Sequence, residues 1–461
     1  MERLSGLDSA FLYMETPTNH LHMAWAAVLD TRATPRAASV GALSELIGRR
    51  LANLPALRKR LADPRLGYTQ PDWLDVDVDP DDHCIAHRSA DLEAVVSDVL
   101  GRPLDRRRPL WELHVVEGLP GRRTGMIMKV HHALLDGPSG AELMVQLLDL
   151  ERHPAAPPPA GPAEPLRVDV QPTRAELLRR SQRRANRAAA RTVVEVRNAV
   201  GVLTATRRWD VEHPHAIAIG TFSAPRTDLN QPITARRAVR FTNVPLDVVD
   251  RVRRATESTV NDVVLAITGG ALRRYLMRHG ALPGSTLLAL VPVSARDSRS
   301  TTGGNQTSGF VTTLATDIAD PHERLAEITR VTKAVKLRHD QTGVGSLTGL
   351  LDLVPPRTGQ QLARLAGRLR LTAAAPLPFN VVVSNVPGPD TPFYCNGALV
   401  ESAHPMGPLT DLSALNVTVV SYRRQLAFGI VACPDVVADL DGLRDDLVAE
   451  VDALSSFAAV A

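Results

Sequence analysis

Cysteine is nearly missing from this chain. Three residues in 461 (Cys84, Cys395 and Cys433), with no CxxC pair and no metal-ligand spacing, exclude a disulfide framework. They read as small buried residues in a reducing cytosol. No run of about 18 uninterrupted apolar residues occurs, so no membrane-spanning helix is expected and any membrane contact has to be peripheral. The N-terminal MERLSGLDSAFLYMETP lacks a basic stretch followed by an apolar one, which a secretory signal needs, so a cytoplasmic location is expected. Net charge is also scarce. A formal +3 lacks the basic excess of a nucleic-acid binder. Lysine is rare in its own right: Lys59, Lys129, Lys333 and Lys336 stand against 49 arginines, a bias that a GC-rich genome explains without invoking function. What is present is ordinary for a folded protein. A composition 44% hydrophobic and 22% charged excludes bulk disorder. The length suits roughly two or three domains, or one large two-lobed unit.

Along the chain three zones separate. Residues 1–150 alternate strand and helix patterns. MAWAAVLD (23–30) is short and apolar, and ASVGALSELIGRRL (38–51) places Val40, Leu43, Leu46 and Ile47 at helical spacing. WELHVVEGL (111–119) and TGMIMKVHH (124–132) read as adjacent strands joined at Pro120-Gly121. Residues 151–235 begin with a proline-rich stretch that can neither continue a helix nor enter a central strand. A helix follows from about Thr173 to Arg208, with ten Arg against two Glu and an apolar stripe at Val193, Val196, Val200 and Leu203. Residues 236–461 again mix helices and strands. VNDVVLAITGGALRRYLMRHG (260–280) reads as a helix capped by Asn261 and closed by Gly280, and LNVTVVSYRRQLAFGIVACPD (415–435) as a hairpin. Together these patterns predict two α/β lobes, 1–150 and 236–461, joined by a crossover at 151–235.

The segment with the clearest chemistry is VHHALLDGPSG (130–140), in which His131, His132, Asp136 and Gly137 spell HHxxxDG. It follows a strand and precedes a helical pattern. Neighbouring side chains at a strand end point to opposite faces, so one histidine can pack inward while the other faces a channel. A neutral imidazole accepts protons near neutral pH, and an alcohol attacks only as a base removes its proton. Three other uses of these residues are open at this level: two buried structural histidines, a metal site, and a Ser-His-Asp hydrolase. Diverging side chains and the lack of a second ligand cluster weigh against a metal. The absence of a GxSxG elbow weighs against the hydrolase.

HHxxxDG after a strand resembles the signature of the chloramphenicol acetyltransferase and condensation-domain superfamily. From end to end the chain resembles the bacterial wax ester synthase/diacylglycerol acyltransferase family. The matching pieces are LSGLDSAFLYMETP (4–17), RPLDRRRPLWELHVVEGL (102–119), KVHHALLDG (129–137), TVNDVVLAITGGALRRYL (259–276), LVPVSARD (290–297), GGNQTSGFVTTLATDIADPHERL (303–325) and SNVPGP (384–389). The resemblance implies two chloramphenicol-acetyltransferase-like lobes, with mixed sheets flanked by helices and a channel between them. It implies His132 as the proton acceptor, His131 as its support, and Asp136 in a structural ion pair with Arg296. Gly137 would keep the turn open near the reacting carbon. Asn261 and Asp262 match a pair near the channel, Asn261 as a donor to the oxyanion. Trp111 would be buried beside the catalytic strand, and Gly303-Gly304-Asn305 would form a turn.

The activity implied is O-acyl transfer from long-chain acyl-CoA to diacylglycerol, with wax ester synthesis from a fatty alcohol as a second activity. Acyl-CoA enters as substrate; no cofactor and no metal are expected. Such substrates are held in a membrane or lipid droplet, and the arginine-rich helix has the composition of an interfacial one. Peripheral association with the inner membrane face or lipid droplets is therefore expected. Two alternatives are an acyltransferase for polyketide diols or glycolipids and a non-catalytic droplet-binding protein.

Overall fold

In the computed structural model, residues 1–63, 71–135, 137–153, 168–213, 223–294, 307–342, 377–411 and 413–458 are described, together with residue 361. Strands and helices follow in the order β1 (Glu2–Arg3), α1 (Gly6–Tyr13), β2 (His22–Asp30), α2 (Val40–Arg50), β3 (Lys59–Leu61), β4 (Asp72–Asp75), β5 (Cys84–Arg88), α3 (Leu92–Leu100), β6 (Trp111–Leu119), β7 (Arg123–His131), α4 (Gly137–Leu147), α5 (Arg174–Glu212), β8 (Ala238–Pro245), α6 (Leu246–Ala255), α7 (Val260–Arg278), β9 (Leu288–Ser294), β10 (Thr307–Thr313), α8 (Pro321–Thr342), β11 (Val381–Val386), β12 (Tyr394–Cys395), β13 (Ala398–Met406), β14 (Leu415–Tyr422), β15 (Gln425–Ala432) and α9 (Leu440–Ala458).

Two mixed six-stranded sheets organise the molecule, in the orders β12-β13-β2-β7-β6-β5 and β10-β9-β11-β14-β15-β8. A small three-stranded sheet, β1-β4-β3, sits beside them. Sheet membership does not follow chain order. β13, from the C-terminal part of the chain, pairs with β2 in the first sheet, Leu399 opposite Asp30 and Met406 opposite Ala24. There it meets the second sheet at close range. A Cβ on Gly429 of β15 would lie 1.8 Å from the Pro405 carbonyl oxygen, so only glycine lets the backbones approach this closely. His404 spans the same seam. Its Nδ1 bonds the Phe428 carbonyl at 3.3 Å and its ring stacks on Phe241, centroids 4.4 Å apart.

Local chemistry accounts for most boundaries. Ser5 and Asp8 form a reciprocal capping box that starts α1, and Thr173 and Glu176 do the same for α5. The apolar positions expected on α2 are Leu43, Leu46 and Ile47, all buried; Val40 is half-buried. β6 and β7 pair antiparallel from Trp111–Val130 to Leu119–Arg123, closing through Gly121 and Arg122 at positive φ. The β14–β15 hairpin turns on Arg423 and Arg424, both left-handed (φ 47° and 61°), although such turns ordinarily take Asn-Gly.

One local expectation is corrected. The cap of α7 is Thr259, whose hydroxyl accepts from the Asp262 backbone N–H while the Asp262 carboxylate accepts from Thr259; Asn261 lies inside the first turn. A hydroxyl two residues earlier completes a capping box with Asp262, and Asn261 has no such partner at the third helical position. Gly280 does close the helix, with φ 63°. On α5, Val200 and Leu203 do not pack inward. They are 54% and 63% exposed, and among the described side chains of the helix the buried ones are Val202 and Trp209. Trp209 is drawn in because its Nε1–H donates to Gln341 on α8 at 2.9 Å. The proline-rich 154–167 segment and the Gly303-Gly304-Asn305 turn lie outside the described residues.

Candidate active site

β7 ends at His131, and the chain turns at once. The His131 N–H donates to the Leu110 carbonyl, the His132 N–H to the Leu21 carbonyl, and the Leu134 N–H to the His131 carbonyl, at 3.0, 3.0 and 2.9 Å. The turn is thus tied to both neighbouring segments. The two side chains have different surroundings, as alternation at a strand end requires. His131 is buried, 1% exposed, while His132 is half-buried. The His132 ring stacks on Phe11 of α1, centroids 4.2 Å apart and planes at 21°. Trp111 lies fully buried behind the turn, its indole N–H bonded to the Leu57 carbonyl at 2.8 Å and its face stacked on His83.

The His131 ring is addressed from both ends. Its Nδ1 accepts the Ala133 N–H at 3.0 Å. That nitrogen therefore carries the lone pair, and in the neutral ring the proton sits on Nε2. Nε2 faces the Glu15 carboxylate at 3.6 Å. Glu15 is anchored in turn by Arg106, whose Nε donates to it at 2.9 Å while a terminal nitrogen donates to both the carboxylate and the Leu12 carbonyl. Burial pushes the His131 imidazole below its ordinary value, and the pull of Glu15 in the other direction does not overcome it. Burial alone would raise the Glu15 carboxyl. Its interactions with His131 and Arg106 outweigh that and hold it below the ordinary carboxylate value. Beyond this pair opens a cleft of about 350 Å³, lined among others by Glu15, His20, Pro103 and Arg106.

His22 lies opposite His131 in the β2–β7 register, and the two rings meet edge to face at 5.5 Å. Neither His22 ring nitrogen has a hydrogen-bond partner among the described residues. Complete burial, then the charge of Lys129, keeps His22 well below the ordinary histidine value. Lys129 itself is buried and donates to the Arg102 carbonyl at 2.7 Å and to Glu112 at 3.3 Å. Donor atoms of Glu15, His22 and His131 all lie within 4.8 Å of one another, close enough to consider a metal. The surrounding charges oppose one. Arg106 occupies the Glu15 oxygen, and Lys129 and Arg237 add positive field at His22. The group reads as a packed polar support for the histidine pair.

Of the other residues singled out from sequence, Asp136 and Arg296 lie outside the described residues. Gly137 opens α4. Asn261 is half-buried in the first turn of α7. Asp262 is buried, and one carboxylate oxygen is committed to Thr259. Sequence reasoning assigned no role to Phe11, Glu15, His22 or Arg106. Phe11, Glu15 and Arg106 fall inside segments 4–17 and 102–119, but nothing local marks them as partners of residues 131 and 132. His20-Leu21-His22, two histidines at strand spacing, was the available signal for His22.

A pair of mixed sheets, with adjacent histidines at the end of a central strand, one buried and one half-exposed, has the architecture of the condensation-domain fold. The likeness extends to the first condensation domain of the calcium-dependent antibiotic synthetase, with TM-score 0.59 at 16% identity over 99% of this chain and 96% of that one, which speaks to the fold. The wax ester synthase/diacylglycerol acyltransferase from Marinobacter aquaeolei VT8 superposes over the full length of both chains, with TM-score 0.67 and 27% identity. Residues 4–264 match the wax ester synthase/diacylglycerol acyltransferase catalytic domain, and 303–455 match the C-terminal domain of the same family. A relative in Mycobacterium tuberculosis, named provisionally as a diacylglycerol O-acyltransferase, is 34% identical over 96% of this chain and 88% of its own. One in Mycobacterium bovis, named likewise, is 32% identical over 98% and 90%. The chain belongs to the wax ester synthase/diacylglycerol acyltransferase family and is an acyl-CoA-dependent O-acyltransferase.

Proposed function

We propose that this enzyme transfers a long-chain acyl group from CoA to the free hydroxyl of diacylglycerol, giving triacylglycerol, and that it also accepts fatty alcohols, giving wax esters. His132 is the general base. It takes the hydroxyl proton as the alcohol oxygen attacks the thioester carbonyl. The tetrahedral oxyanion is held by donors, Asn261 among them. As the carbon–sulfur bond breaks, the imidazolium returns its proton to the departing thiolate, leaving ester and free CoA. A thioester is already activated, so no acyl-enzyme is needed. His131 supports the turn, and Gly137 leaves room beside the reacting carbon. The lobes are assigned to 1–150 and 236–461, with 151–235 as the crossover, except that β12 and β13 of the C-terminal part complete the first sheet.

The observation that carries this reading is the turn after β7, which buries His131 and leaves His132 half-exposed against Phe11 in a chain matched by the family over both domains. The test is product identification. Purified enzyme with palmitoyl-CoA and equal dioleoylglycerol and hexadecanol should form triacylglycerol in excess of wax ester. Wax ester alone would reassign the acceptor, and ester formed only from polyketide diols or glycolipids would reject both.

The acceptor is collected at a membrane or droplet surface through α5. Among the described residues no helix is long and apolar enough to cross a membrane. Val200, Leu203 and Val211 are 54%, 63% and 74% exposed. They recur with Arg207 at three- and four-residue steps, on the face opposite buried Val202 and Trp209. An exposed apolar stripe on an arginine-rich helix suits an anionic lipid interface.

A further inference from the structure

We propose that Glu15 is a positioning residue for the histidine pair, acting through the tautomer of His131. The inference rests on His132 being the base and adds how that base is held. A buried N–H has to find an acceptor. His131 Nε2 makes no hydrogen bond among the described residues; the Glu15 carboxylate faces it at 3.6 Å, and hydrogen bonds of resting active sites commonly tighten when substrate binds. Glu15 cannot drift away, because Arg106 grips both it and the Leu12 carbonyl at the end of α1. With the proton fixed on Nε2, Nδ1 stays an acceptor and the Ala133 N–H keeps its bond. That bond sets the backbone one residue beyond His132.

The reverse tautomer, with the proton on Nδ1, would set two N–H groups against each other and open the turn. The same segment also supplies Phe11, on which His132 stacks. One short stretch, residues 11–15, therefore fixes the ring plane of His132 from one side and the turn beneath it from the other. In this role Glu15 needs no contact with the acyl donor or the hydroxyl. It acts only through His131.

The test combines kinetics with a direct readout of the tautomer. Glu15→Leu should lower kcat about 10- to 100-fold, the scale of a small misplacement of a catalytic group, while KM for both substrates moves less than about threefold. Glu15→Gln, which keeps an oxygen acceptor, should recover most of that loss. Arg106→Met, which frees the carboxylate, should fall between them. In parallel, ¹⁵N-histidine spectra, assigned by difference against His131→Gln, should show His131 protonated on Nε2 in the wild type and as a tautomer mixture in Glu15→Leu. An unchanged kcat in Glu15→Leu overturns the proposal. So do equal losses in the Leu and Gln variants with an unchanged His131 tautomer, which would mark Glu15 as merely structural. The same kinetic pattern produced by His22→Phe, with Glu15→Leu silent, would hand the role to His22. The spectra read His131 whatever the activity, so a failure of the His132 reading, seen as an active His132→Ala, is distinguishable from a failure of this one.

Discussion

A buried imidazole must dispose of one N–H and one lone pair, and in this enzyme the histidines solve that differently. His131 accepts from the backbone of its own turn and faces a carboxylate at 3.6 Å without a hydrogen bond in the resting structure. His404 bonds a carbonyl across the seam between the sheets, and burial pushes its value down to about 4. For His404 the consequence is measurable. The unfolded chain, with histidine near 6.5, binds a proton that the folded protein refuses between pH 6.5 and about 4. Stability contributed by this group is therefore complete above pH 6.5 and is lost as pH falls through that window. The 2.5-unit gap caps the loss at about 3 kcal/mol. His22 and His131, also lowered by burial, act in the same direction. The melting temperature should fall between pH 6.5 and pH 4, and His404→Gln should flatten part of that fall. A melting temperature independent of pH over this range would mean that these rings are not buried as described.

At the scale of elements, the approach of α4 to the first sheet is tight. A Cβ on Gly140 would lie 1.9 Å from the Trp25 ring of β2. Gly140→Ala should push α4 and the turn before it away from the sheet, costing about 1–3 kcal/mol in denaturant titrations and lowering activity with it. If stability is unchanged, the packing has slack that the geometry does not contain. On α5, replacing Val200, Leu203 and Val211 together by Glu should abolish binding to anionic vesicles while leaving activity on detergent-dispersed acceptor near wild type. Retained vesicle binding would remove α5 from the lipid interface. The start of this helix and the strands beside the histidine pair could be read from sequence, because capping residues and alternating apolar residues are local signals; the burial of Trp111 was implied by the family resemblance. Which face of α5 is buried could not be read. Its outer stripe is more apolar than its inner one, and the choice is made by Trp209 finding Gln341 more than a hundred residues away.

At the scale of the molecule, the two-sheet architecture followed from repeated strand and helix patterns, but the joining of the halves did not. β13 leaves the C-terminal part of the chain to pair with β2, and nothing in Ala398–Met406 announces a partner nearly four hundred residues earlier. The candidate site shows the same divide. His131 and His132 stand out as a motif. Phe11, Glu15 and Arg106 become their neighbours only when α1 and the 101–110 segment fold against the end of β7. The half-buried His132 depends on all of this: a sheet to end the strand, a glutamate to settle its neighbour and an aromatic ring to stack on. The central claim is that His132 moves the proton in acyl transfer. The most direct measurement is release of free CoA from palmitoyl-CoA by purified wild type and His132→Ala, with and without dioleoylglycerol. The account predicts release that requires the acceptor and falls by about 10²–10⁴-fold in the variant. Acceptor-dependent release that survives in His132→Ala would contradict it.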